Sequence, residues 1–137
     1  MRKLLIVTAL LLFAGITSGQ TLQKGNTIAI HEYMVTLDPD ITMNQFMDFF
    51  MNKYLAEANK LFEGVKFFAL KGDRGEHENG FALLVWCESK DARDKYWPEA
   101  GSVSDEFTAI GEQLQPLVNE LGKMGTTTSV YTEWMVE

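Results

Sequence analysis

One cysteine, three prolines and too few basic residues define the chain by what it lacks. A lone Cys87 cannot close an intrachain disulfide, so the fold must rest on its buried apolar surface. Neighbours Val85 and Trp86 offer no cation to activate the thiol, which is expected to pack as a small hydrophobe. Twelve Lys and Arg stand against nineteen Asp and Glu, a formal net charge of −7. An acidic chain lacks the basic surface that phosphate neutralisation needs, which excludes nucleic acid as partner. Without Pro/Gly-rich stretches, repeats or charge blocks, nothing marks a second domain within 137 residues.

The N-terminus reads as a signal peptide, residues 1–19, with Arg2 and Lys3 ahead of an apolar run from Leu4 to Ala14 and a small-residue exit at Thr17-Ser18-Gly19. The run is too short for a permanent span, which takes about 20 apolar residues. No Cys sits near the exit to carry a lipid. Residues 20–137 are therefore expected as one exported domain, periplasmic or secreted, without a stable membrane anchor after cleavage, and more acidic once Arg2 and Lys3 are removed.

Thr27–Leu37 is rich in β-branched and aromatic residues and reads as a strand ended by Asp38-Pro39-Asp40. Thr42 and Gln45 have capping-box spacing, and Phe46, Phe50, Tyr54, Ala58 and Leu61 recur on one helix face up to a stop at Gly64. Strands follow at about Val65–Lys71 and Gly80–Glu88, joined by a polar hairpin loop. A short helix over Lys90–Trp97 is capped by Ser89. A longer one opens at Ser104, with a bend expected at Pro116 and an end at Gly122 and Gly125. Thr126–Val136 has strand composition. The order strand, helix, strand, strand, helix, strand is the split βαβ pattern of an α+β, ferredoxin-like fold with a four-stranded antiparallel sheet.

Sorting the strands by parity exposes a difficulty. Ile28, Ile30 and Met34 oppose Ala29, Tyr33, Val35 and Leu37 on the first strand; Val65, Phe67 and Ala69 oppose Phe68 and Leu70 on the second; Ala82, Leu84 and Trp86 oppose Phe81, Leu83, Val85 and Cys87 on the third. Both faces are apolar, whereas two helices cover only one. The second face calls for a second copy of the chain, so a homodimer is expected.

The Leu70-Lys71-Gly72-Asp73-Arg74-Gly75 segment, the Glu88 to Pro98 segment and the aromatic first helix resemble the dimeric α+β barrel superfamily, in particular small domains of the antibiotic-biosynthesis-monooxygenase and NIPSNAP type. That resemblance implies a pairing of ferredoxin-like sheets. Members include cofactor-free monooxygenases, haem-degrading enzymes, decarboxylases and domains of no known activity, so it does not choose an activity. The haem-degrading members take an iron-ligating His from a helix, and the two histidines here, His31 and His77, lie on a strand and in a loop.

His31 and Glu32 are the candidate acid or base groups: as strand neighbours they point to opposite faces and cannot share a metal. Tyr33, Phe50, Tyr54 and Trp86 are candidate walls for a small apolar or aromatic ligand. Glu76-His77-Glu78 reads as a solvated loop, with no closed ligand set for a metal, and no cofactor is expected. Three readings remain open at this point: a homodimeric binding domain, a cofactor-free monooxygenase with His31 as base, and a dimer module without ligand.

Overall fold

The computed structural model describes residues 21–78 and 80–137; the expected signal peptide lies outside the described residues. Strand β1 (Thr27–Leu37) leads through a capped turn into helix α1 (Met43–Phe49), a π-helical stretch (Phe50–Leu55) and α2 (Ala56–Leu61). Strands β2 (Val65–Lys71) and β3 (Phe81–Cys87) form a hairpin. Helices α3 (Lys90–Asp94) and α4 (Asp105–Met124) precede β4 (Gly125–Met135). The sheet is fully antiparallel with order β2-β3-β1-β4, the ferredoxin-like arrangement expected. No described helix is long and apolar enough to cross a membrane.

Local chemistry accounts for the boundaries. The Thr42 hydroxyl accepts from the Gln45 N–H at 3.3 Å while the Thr42 N–H donates to Gln45 Oε1 at 2.9 Å, a reciprocal capping box. Ser89 and Ser104 cap α3 and α4 in the same sense through Ala92 and Phe107. Gly64 turns the chain after α2 with φ +73°, a left-handed conformation that glycine adopts without steric cost. In the β2–β3 loop, a Cβ on Gly72 would sit 1.9 Å from the His77 carbonyl oxygen, so only glycine fits where the loop folds back.

The helix was expected as one uninterrupted run to Gly64, and it does run through, but six residues take the wider π geometry. Pro116 does not interrupt α4, and Gly122 lies inside it rather than at its end. Pro116 is exposed, so its ring points to solvent and the Glu112 carbonyl it leaves without a donor is open to water.

The core forms between the helices and the face of the sheet that carries Val65, Phe81, Leu83, Val85 and Cys87. Cys87 is buried there as expected, and burial pushes its thiol pKa up. Opposite this face no described helix covers the sheet. Its cross-strand rows run Lys66–Trp86–Ile28–Trp134, Phe68–Leu84–Ile30–Thr132 and Leu70–Ala82–Glu32–Val130. Met34 is 69% exposed, Val130 66% and Trp134 58%.

The two sheet edges differ. At β2, the Asn59 side-chain amide donates to the Phe67 carbonyl at 3.0 Å and accepts from the Phe67 N–H at 2.8 Å, standing in for a neighbouring strand. At β4, every residue from Thr126 to Met135 is exposed. Arg93 bridges from α3 to Glu133 on β4 and also bonds Asp94 at 2.7 Å.

Candidate functional site

Three of the four expected ligand-wall residues converge. Tyr33 projects from β1 on the helix-covered face, while Phe50 and Tyr54 come from the π-helical stretch, one turn apart. Tyr33 stacks on Phe81 at 5.3 Å between ring centroids, Phe81 meets Phe50 edge-on at 5.1 Å, and Phe50 stacks on Tyr54 at 5.6 Å. This chain of rings walls a partly open cavity of about 280 Å³ that Leu121, Gly122 and Thr127 also line. The wider π turn shifts the helix register inside an otherwise regular run, a feature frequent at functional positions.

Both phenols are affected by the site. Burial raises the Tyr33 pKa, and the neighbouring Tyr54 adds to the rise; burial alone raises that of Tyr54. Each therefore stays a neutral hydroxyl at physiological pH, able to donate a hydrogen bond to a ligand oxygen.

Trp86 does not join them. It pairs with Ile28 across β1 and so faces the open side of the sheet, whereas Tyr33 pairs with Phe81 on the helix side. Grouping it with the three other aromatics overlooked strand parity. Its indole N–H is buried with no acceptor among the described residues.

His31 and Glu32 part as expected. His31 lies on the helix-side face, stacked on Tyr131 of β4 at 4.9 Å and 6.4 Å from the Tyr33 ring, but outside the wall of the cavity. Burial lowers its pKa, so the imidazole is neutral at pH 7. Glu32 lies on the open face, where His77 reaches across from the β2–β3 loop to 3.4 Å. The loop histidine, expected to be free in solvent, thus has a carboxylate partner.

A second cavity, about 410 Å³, was not anticipated. It lies between α2, α4 and the segment after α3, with Phe62, Trp97 and Phe107 in mutual contact at 5.5–5.8 Å between centroids. The signal was present in Trp97 and Phe107, but they belong to separate segments that only the fold brings together.

No family model matches the chain, and no curated protein sequence matches it significantly. Solved structures do. A NIPSNAP family protein from Agrobacterium tumefaciens superposes with TM-score 0.56 at 10% identity, over 86% of this chain and 91% of that one. SnoaB, a cofactor-independent oxygenase from Streptomyces nogalater, gives TM-score 0.50 at 11% identity, over 82% and 94%. The chain thus has the ferredoxin-like α+β fold of these two proteins, the fold implied by its sequence resemblance to the dimeric α+β barrel superfamily.

Proposed function

We propose that this chain is an exported, homodimeric domain that binds a small apolar or aromatic molecule between sheet and helices. The observation that carries the reading is the convergence of Tyr33, Phe50 and Tyr54 on one cavity, aromatic in its walls and holding two neutral phenols. Export rests on the N-terminal leader pattern. Dimerisation rests on the uncovered apolar face, which monomers rarely leave in water.

Binding is tested with the uncharged fluorophore N-phenyl-1-naphthylamine and a filled-cavity variant. Gly122 lines the cavity from α4, and a Cβ there meets nothing within 4 Å. Gly122→Leu should fold at least as well as the wild type, since leucine is the better helix former, and should lose binding at least tenfold. Equal binding by the variant would place the ligand elsewhere.

A second reading makes the chain a cofactor-free oxygenase, with His31 taking a proton from a bound phenol or quinol so that the anion reacts with dioxygen. The neutral imidazole on the same face as Tyr33 favours it. The position of His31 outside the cavity wall puts it second. Oxygen uptake with a model quinol decides: turnover that falls in His31→Ala supports the enzyme, and turnover indifferent to that change removes His31 as base.

A further inference from the structure

The two cavities adjoin. Tyr54, Leu83 and Val118 line both, so the smaller, phenol-bearing chamber and the larger one share a wall, with Tyr54 of the π-helical stretch at their boundary. Small-molecule pockets usually span about 300–1,000 Å³. At about 280 and 410 Å³, each chamber alone is near the low end, and the two joined lie well inside the range.

Charge narrows the occupant. Among the described residues, no ionisable group besides Tyr33 and Tyr54 lines the smaller chamber. Among the described residues, the only ionised side chain lining the larger one is Glu112, on its α4 rim, and Asp105 and Glu106 add acid at the start of the same helix. On a chain of net charge −7, an anionic headgroup would be repelled at that rim and undercompensated inside.

We infer that the two chambers form one continuous site for an elongated, uncharged molecule: an apolar chain lying along Leu83 and Val118 past Tyr54 into the larger chamber, with a single oxygen held by the Tyr33 and Tyr54 hydroxyls. The inference rests on the proposed ligand-binding role and gives it a substrate class.

Displacement of N-phenyl-1-naphthylamine from the purified protein by the linear alcohols pentan-1-ol to decan-1-ol, by decanoate and by compact 2-naphthol tests it. Affinity should climb about fourfold per methylene without a break up to decan-1-ol. Decanoate should bind at least tenfold more weakly than decan-1-ol. Two glycines of α4 address the chambers singly: Gly111 lines the larger on one helix face with Thr108, Leu114 and Gln115, Gly122 lines the smaller with Val118 and Gly125, and a Cβ on either has room, with nothing within 4 Å. Gly111→Leu should weaken decan-1-ol at least tenfold and leave 2-naphthol within twofold, whereas Gly122→Leu should weaken both.

A plateau among the shorter alcohols, decan-1-ol indifferent to Gly111→Leu, or decanoate as tight as the alcohol overturns the continuous site. So does alcohol binding confined to a monomeric fraction in sedimentation, which would give the larger chamber to a second copy of the chain. If 2-naphthol binds and the alcohols do not, the ligand site stands and this inference alone falls. If neither the fluorophore nor any competitor binds, the ligand-binding role itself is refuted.

Discussion

Phe68 offers the sharpest test of the uncovered face. It sits on the edge strand β2 in the row Phe68–Leu84–Ile30–Thr132 and is 44% exposed. Fully burying a phenylalanine is worth about 1.5–3 kcal/mol, so completing its burial under a partner adds roughly 1 kcal/mol per protomer. In a twofold pair the same residue counts twice, about 2 kcal/mol. Phe68→Glu removes this and forces two carboxylates into an apolar interface, at an effective cost of several kcal/mol per ion.

The dimer dissociation constant should rise at least about a thousandfold, equivalent to roughly 4 kcal/mol. The monomer should suffer little. The lost strand propensity is about 1 kcal/mol, a drop in melting temperature of about 5 °C. Sedimentation velocity across a dilution series reads the dissociation constant. Glu106→Lys, at the exposed start of α4, serves as the control. A wild-type chain that stays monomeric at about 100 μM, or a Phe68→Glu chain that sediments as the wild type does, would refute the argument that the open face is a protomer interface.

Four other perturbations probe the fold and its titration. Asn59→Ala deletes both hydrogen bonds to the Phe67 backbone; denaturant unfolding should show a loss of about 2 kcal/mol, and the uncapped β2 edge should aggregate faster, so an unchanged midpoint would deny the strand-like role. Leu55→Ala empties a core position only 4% exposed and should cost about 2–5 kcal/mol in the same assay; a loss below about 1 kcal/mol would mean the π-helical stretch is loosely packed. Burial raises the folded pKa of Tyr33 and Tyr54 and lowers that of His31. The tyrosine contribution to stability is complete below about pH 10 and lost as pH rises through the folded values, so Tyr33→Phe with Tyr54→Phe should flatten the alkaline fall. The histidine contribution is complete above about pH 6.5 and lost as pH drops through the folded value, so His31→Phe should flatten the acid limb.

Much of the fold was legible because it is written locally. Strand bounds at Thr27–Leu37 and Val65–Lys71, the capping box at Thr42 and the left-handed Gly64 all follow from residue type and spacing. The π-helical stretch was not legible, because apolar steps of three and four fit an α-helix equally well and the wider turn is selected by packing. Pro116 was weighted as a breaker although an exposed proline in a long helix leaves a carbonyl that water can satisfy. Tyr33, Phe50 and Tyr54 could be grouped from the sequence since each lies on a core face. Trp86 was added for its ring and its central strand without its face being matched to that of Tyr33, and the register with Ile28 removes it. The Glu32–His77 pair and the larger cavity join residues from separate segments, which no local pattern encodes.

Parity along β1 organises what remains. One step, from His31 to Glu32, separates a neutral imidazole on the helix side from a carboxylate on the open side. The same alternation on β4 places Thr127 in the wall of the smaller chamber and Val130 and Trp134 on the opposite surface. Because β4 is exposed from Thr126 to Met135 and held by its ladder with β1 and the Arg93–Glu133 contact, it is the least supported wall of the chamber. A protomer seated on the open face would restrain that wall from behind. Under the proposed pairing and ligand binding, assembly and ligand would act on one strand from its two sides, which would account for the apolar character of both sheet faces, anomalous for a solitary domain.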